Sequence, residues 1–180
     1  MSQTNELEIM ERIALDLEGV EESLASSFNT GAEDFNALIR PLSAAGGKRL
    51  RAQLCLLIAN AGTSVERQRI RIAEAVEMLH LATLIHDDVL DQAEIRRGEE
   101  TIHMHKGNKV AILSGDYLFA KAFQIVSEMP NMKYLQVFSH IITCLVEGEF
   151  MQMEDVYRID QGIERYMTKT QKKTADFMEG

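Results

Sequence analysis

The chain has 180 residues, 46% hydrophobic and 26% charged, which is the composition of a soluble globular protein with one hydrophobic core. Eleven glycines, two prolines and two cysteines exclude collagen-like, turn-rich and disulfide-scaffold classes. Nineteen basic against 28 acidic residues leave a net charge of -9, which argues against nucleic acid as a partner and requires that any anionic ligand be held by local basic clusters or metal ions.

Helical periodicity runs through the whole chain and predicts one all-α domain over 1–180, its helices packed as a bundle. Leu7, Met10, Ile13, Leu17, Val20 and Leu24 recur at three or four, which predicts a first helix over 6–27. Thr30-Gly-Ala-Glu33 has capping-box spacing and opens a short helix reaching about residue 44, disturbed at Pro41. Gly46-Gly47 breaks the chain before an apolar helix over 50–61. A second capping box, Thr63-Ser-Val-Glu66, starts a long helix to about residue 91, and Arg96-Arg97-Gly98 reads as a loop. Further helices are expected at about 110–128, 133–156 and 163–178. No strand alternation stands out.

Cys55 and Cys144 lie in apolar helical stretches and read as buried free thiols of a reducing compartment. The polar, acidic N-terminus is unlike a leader, and the longest charge-free runs, 52–65 and 134–146, are too short to span a bilayer. A cytoplasmic protein without a transmembrane segment is the expectation.

The chemistry concentrates at the end of the fourth helix, in Glu77-Met-Leu-His80-Leu-Ala-Thr-Leu-Ile-His86-Asp87-Asp88-Val-Leu-Asp91. At about 100° per residue, His80, Leu84, Asp87 and Asp91 fall within roughly 40° of one line, with Asp88 off it. Asp87 and Asp91 are one turn apart, so their carboxylates repel unless something compensates them. Oxygen-only ligands of this kind suit Mg²⁺, which keeps waters and shares phosphate oxygens. An isolated Asp-Asp-x-x-Asp is equally a solvated acidic face. Here it ends an apolar helix, which suggests the mouth of a cavity, and Gly46-Gly47-Lys48-Arg49-Leu50-Arg51 and Arg96-Arg97-Gly98 supply two basic clusters, the complement a diphosphate needs.

Together with Gly115-Asp116-Tyr117-Leu118, Glu147-Gly148-Glu149 and Lys173-Thr174, these residues make the chain resemble the trans-prenyl diphosphate synthases, and among them the long-chain bacterial heptaprenyl-type catalytic subunits. The resemblance implies an isoprenoid synthase-type helical bundle around an apolar cavity. It implies Asp87, Asp88 and Asp91 as Mg²⁺ ligands, Lys48, Arg51, His80 and Arg97 as contacts of isopentenyl diphosphate, and Arg96, Lys173 and Thr174 as contacts of an allylic diphosphate. Lys173 also counts among the catalytic residues. The reaction implied is head-to-tail condensation to a medium- or long-chain all-trans polyprenyl diphosphate, by a homodimer or a heterodimer with a small partner subunit. Chain-length control maps to Ala82 and Thr83, both small, so the cavity floor is not plugged there; Met78 and the apolar face of 110–123 are candidates to line the tunnel, although such stripes are more often ordinary core.

The pattern departs from the family at Glu100, where proline is common, and in lacking a second aspartate-rich motif before Gly180. The bundle is therefore expected to be incomplete at its C-terminus, and residues 1–180 alone to bind diphosphate weakly and turn over little. Three other readings compete. Glu77-x-x-His80 and Glu100-x-x-His103 have the spacing of a di-iron carboxylate bundle. A regulatory or assembly subunit would keep the fold without catalysis. A terpene cyclase would have no use for Lys48, Arg51 and Arg97. His103, His105 and His140 read as surface or core histidines, and Lys169 and Lys172 as part of a solvated face.

Overall fold

The computed structural model describes residues 3–28, 33–44, 47–62, 65–158, 160 and 162–179, without the side chains of 3–6 and 42–44. Two compact units, Met1–Glu128 and Met129–Gly180, divide the chain. The first unit contains α1 (Gln3–Ser27), α2 (Glu33–Ala44), α3 (Leu50–Ala61), α4 (Glu66–Leu90), the strands β1 (Ile95–Arg96) and β2 (Glu99–Glu100), α5 (Ile102–Lys106) and α6 (Asn108–Ser127). The second contains α7 (Lys133–Glu154), α8 (Ile163–Thr170), a π-helical turn (Gln171–Ala175) and α9 (Asp176–Glu179). The all-α class and nearly every helix read from periodicity are therefore observed. Thr30, Thr63 and Gly46 lie outside the described residues, so neither capping box is visible. Pro41 stays inside α2, where it removes one backbone donor without ending the helix.

α4 is the axis of the first unit and packs on α6, α3 and α1. Ala73, Met78, Leu79 and Ala82 of α4 meet a core that includes Val20 and Leu24 of α1, Leu56 of α3 and Leu118 and Val126 of α6, all buried. Buried charge fixes α1 onto this axis. Glu74 is fully buried, and its carboxylate accepts hydrogen bonds from Ser23 and Ser27 of α1 at 2.6 Å each and pairs with Arg71 at 2.5 Å. Asp16, also buried, pairs with Arg69 at 3.0 Å and accepts from Asn60 at 2.9 Å. Removing one partner of such a pair leaves an uncompensated interior charge, so these contacts fix which face of α1 meets α4.

Three local features escape periodicity. β1 and β2 form an antiparallel hairpin two residues long, too short to show alternation, with Ile95 opposite Glu100 and Arg96 opposite Glu99. Its tip, Arg97-Gly98, has φ of 53° and 88°, the left-handed pair of a type I′ turn. α5 spans five residues and is too short to carry a helical stripe. The π turn crosses α7 at Gly148, where a Cβ would lie 2.9 Å from the Lys173 backbone nitrogen. In addition, α6 has the length and apolarity to cross a membrane; scanning for charge-free runs passes over it because Lys109, Asp116 and Lys121 interrupt it. Its residues Ser114, Gly115, Leu118 and Ala122 are buried in the packed first unit.

Gly115 lets α6 approach α4. A Cβ there would fall 2.2 Å from His86 Nε2, and the imidazole sits with Nε2 3.1 Å from the Ile112 carbonyl oxygen and 3.5 Å from Asp116 Oδ1. Glycine to alanine inside a helix normally stabilises by about 1 kcal/mol. Gly115→Ala is expected to do the reverse, costing about 1–3 kcal/mol as His86 is forced out of its slot. Thermal unfolding of the variant reads the sign directly.

Candidate active site

The C-terminal half of α4 presents His80, Thr83, Asp87, Asp88 and Asp91, and the way the helix ends brings basic residues back onto them. Gln92, at φ 52°, takes the left-handed position just past the helix. The Ala93 N–H then bonds to the Asp88 carbonyl at 2.9 Å and the Gln92 N–H to that of Val89 at 3.4 Å, the two bonds of a Schellman motif. This reverses the chain into the β1–β2 hairpin, whose base is closed by the Thr101 hydroxyl on the Ala93 carbonyl at 2.7 Å. Arg96 consequently reaches back eight residues, its Nε 2.7 Å from Asp88 Oδ1.

The second basic cluster arrives from the loop before α3. Gly47 lies against the Arg97 guanidinium, and a Cβ at Gly47 would sit 3.2 Å from Arg97 Nη2. Arg51 Nη1 lies 3.3 Å from His80 Nε2, so Arg51 donates and the imidazole proton belongs on Nδ1. Burial, then the positive charges of Arg51, Arg97, Arg96 and Arg49 in that order, push the His80 imidazole down to about 4. The two clusters, distant in sequence, thus act together on one neutral histidine, with Arg51 in direct contact and the charges of Arg97, Arg96 and Arg49 felt from further away. Burial lowers the Arg51 pKa against the opposing pull of Glu77. Lys48 is exposed at the edge of this cluster.

A cavity of about 1210 Å³ opens beside this cluster. Leu38 of α2, Leu81, Leu84 and Ile85 of α4, Ile102 of α5 and Val110 of α6 form its apolar wall, and Asp88, Arg96 and Arg97 its charged edge. His80, Thr83, Asp87 and Asp91 lie on the neighbouring face of α4 and do not line it. Of the two chain-length candidates, Ala82 is fully buried and Thr83 half-buried, its hydroxyl bonded to the His80 carbonyl at 2.8 Å. Met78 is core, as read from the sequence.

Among the described residues, no three His, Cys, Asp or Glu side chains converge into a metal-holding set. Asp87 is half-buried, Asp91 exposed, and Asp88 buried with its carboxylate directed to Arg96. One turn apart on an accessible helix end, Asp87 and Asp91 are an open, oxygen-only donor pair. That chemistry fits a hard cation that takes its other ligands from water and a diphosphate, and does not fit a closed protein cage. The Glu-x-x-His pairs are otherwise engaged: Glu77 accepts from Arg49 and from the Ala52 N–H, and His103 Nδ1 lies 3.0 Å from the Thr101 hydroxyl.

In the second unit, Lys173 belongs to the π turn, a geometry common at functional sites. Its ammonium pairs with Glu149 at 2.6 Å and donates to Gln152 at 3.1 Å, while Lys172 pairs with Glu147. Thr174 is exposed. Lys169 has a structural partner: with Arg165 it neutralises the buried Asp155, at 3.2 and 2.5 Å. Burial alone would raise the Asp155 pKa, but these two donors more than offset it and hold the group low.

Sequence reading missed Glu21 and gave Arg49 and Glu77 other roles; the three brace the loop before α3. Arg49 Nε and Nη2 lie 2.6 and 3.1 Å from the two oxygens of Glu21, and Nη1 3.3 Å from Glu77. The sequence signals were Arg49 within a basic cluster and Glu77 three residues before His80, a spacing that suits a metal ligand equally well.

A helical bundle whose central helix ends in three aspartates against an arginine-tipped hairpin defines the isoprenoid synthase class. The chain belongs to the polyprenyl synthetase family, whose sequence profile matches residues 32–179. It is 38% identical over 161 residues to heptaprenyl diphosphate synthase component 2 of Geobacillus stearothermophilus, covering 89% of this chain and 50% of that one. To octaprenyl diphosphate synthase of Escherichia coli (strain K12) it is 34% identical over 171 residues, covering 95% and 53%. Among solved structures it resembles a Caulobacter crescentus CB15 polyprenyl synthase complexed with calcium and isoprenyl diphosphate, with a TM-score of 0.87, 33% identity and coverage of 93% and 52%. The chain spans about half the length of the relatives it matches.

The His80 environment predicts an acid-sensitive fold. Its pKa of about 4 in the folded chain lies below the ordinary 6.5, so between these values the unfolded chain binds the extra proton. The stabilisation is complete above about pH 6.5 and is lost as pH falls towards 4. Denaturant melts across this window should show the loss, and His80→Gln should flatten it.

Proposed function

We propose that the protein is a prenyltransferase that condenses isopentenyl diphosphate with an allylic diphosphate to give a medium- or long-chain all-trans polyprenyl diphosphate. The observation that carries this reading is the meeting of the Lys48–Arg51 loop, His80 and the Arg96–Arg97 hairpin tip beside the aspartate-bearing end of α4, next to an apolar cavity. A prenyl diphosphate has the same construction, an anionic head on a hydrocarbon tail.

Lys48, Arg51, His80 and Arg97 are assigned to isopentenyl diphosphate. Arg51 and Arg97 offer planar bidentate donors and Lys48 a mobile point charge. The neutral His80, oriented by Arg51, fills the site without adding a fifth positive charge. Arg96, Lys173 and Thr174 are assigned to the allylic diphosphate, and Asp87 and Asp91 would be the firmer ligands of Mg²⁺, with Asp88 joining them on release from Arg96. Bound there, Mg²⁺ supplies Lewis-acid stabilisation of the leaving diphosphate. The allylic C–O bond breaks with its electron pair going to diphosphate, the isopentenyl double bond forms the new C–C bond, and the resulting cation gives up a proton to the released diphosphate. The protein contributes orientation, water exclusion and fixed positive charge, and no covalent nucleophile is needed.

Small residues at 82 and 83 favour an unblocked, longer product. A subunit partner, either a second copy or a smaller chain, belongs to the same proposal. It is supported by the Geobacillus relative being component 2 of its synthase.

Mg²⁺-dependent transfer of labelled isopentenyl diphosphate onto an allylic diphosphate tests the reading. Arg51→Ala is expected to raise KM for isopentenyl diphosphate at least about tenfold, while Asp87→Asn lowers kcat by about 100-fold or more. Diphosphate binding without turnover in the intact protein would instead assign a regulatory or assembly subunit.

A further inference from the structure

We propose that Glu77 is a positioning residue: its buried carboxylate on α4 holds the end of the loop that carries Lys48, and the first turn of α3 that carries Arg51, in the shape that grips isopentenyl diphosphate. The ligand's identity rests on the function proposed above; the geometry does not.

The loop needs such a brace. Arg49 sits at φ 45° and ψ 39°, a left-handed conformation that a side chain larger than glycine holds only when its surroundings enforce it. As the residue capping α3 it offers no side-chain hydrogen bond to the exposed amides of the first turn. Glu77 answers both needs from another helix. One carboxylate oxygen receives Arg49 Nη1 at 3.3 Å and the other receives the Ala52 N–H at 3.1 Å. The second contact places a negative charge at a helix N-terminus, where the peptide dipoles favour it.

The side chains of Arg49 and Glu77 are 8% and 4% exposed, so the pair is screened from water, whereas Glu21, the other anchor of Arg49, is 46% exposed. Arg51 lies between the two points that Glu77 ties down, and it reaches His80, three residues further along the same helix. One carboxylate therefore sets the register between the loop and the histidine. It is also the group that a di-iron reading would have spent on a metal.

Three variants of the intact protein test this: Glu77→Ala, Glu77→Gln and Glu21→Gln, each confirmed as folded by circular dichroism at the temperature used. Calorimetry reads the Kd of isopentenyl diphosphate, and NMR follows the His80 imidazole through a pH titration. Glu77→Ala is expected to weaken binding about tenfold or more, and Glu77→Gln, which keeps an acceptor for Ala52, by about threefold. Glu21→Gln should have less effect than Glu77→Ala.

Burial is the first cause of the low His80 pKa and Arg51 the second. In a Glu77→Ala variant that stays folded the pKa should therefore rise from about 4 as Arg51 moves away, while burial still holds it below 6.5. Folded Glu77 variants with wild-type affinity and an unchanged His80 titration overturn the proposal. If Glu77→Ala does not fold, Glu77→Gln decides by the same two readouts. If the wild-type protein binds no isopentenyl diphosphate, the proposed function fails, while the His80 titration still decides whether Glu77 places Arg51.

Discussion

Three carboxylates of α4, Glu74, Glu77 and Asp88, are buried, and everything around that helix is arranged to neutralise them. A carboxylate taken from water is costly unless charge and hydrogen bonds compensate it, and each of the three takes its compensation from a different place. Ser23 and Ser27 of α1, with Arg71, serve Glu74. Arg49 and the first turn of α3 serve Glu77, and Arg96 of the hairpin serves Asp88. Hydrophobic contact alone would bring α1, α3 and the hairpin onto α4 without fixing their rotation or height. The buried charges fix both.

The same arrangement creates the electrostatics of the site. A chain of net charge -9 brings the charges of Arg51, Arg97, Arg96 and Arg49 to bear on a single imidazole, Arg51 in contact with it. That is a local inversion of the global field, and it is sustained because Glu21, Glu77 and Asp88 hold some of these guanidiniums from behind. His80 stays neutral as a result. The aspartates at the exposed end of α4 and the arginines near them bring opposite charges to one end of the helix, Asp88 and Arg96 in direct contact. A metal-diphosphate ligand would bridge such an arrangement.

The all-α class and the positions of the long helices were legible because amphipathic spacing is a local property: a helix of twenty residues displays several turns of the same stripe. The functional residues were legible as clusters of unusual composition, Gly47-Lys48-Arg49-Leu50-Arg51, His86-Asp87-Asp88-Val-Leu-Asp91 and Arg96-Arg97-Gly98. The hairpin, α5 and the π turn at Lys173 were not legible, since none is long enough to show a period and each depends on contacts made elsewhere. Gly148 shows why: the close approach of the π turn over α7 is visible only once both are placed. Glu77 is the sharper case. A carboxylate three residues before a histidine is compatible with iron, with solvent and with an arginine, and nothing local chooses among them.

The sequence by itself determined the helical class, the family resemblance and the chemical types available: oxygen ligands on one helix end and cations in two separate clusters. Those follow from residue type and spacing along the chain. Tertiary structure decided the partnerships. It sent Asp88 to Arg96, joined Arg51 to His80 across 29 positions of sequence, and placed the apolar cavity on the α4 face neighbouring the one that carries Asp87 and Asp91. A helix stripe depends on an angle of about 100° per residue, which the backbone sets locally. An ion pair depends on where two distant segments cross, which only the packed core sets.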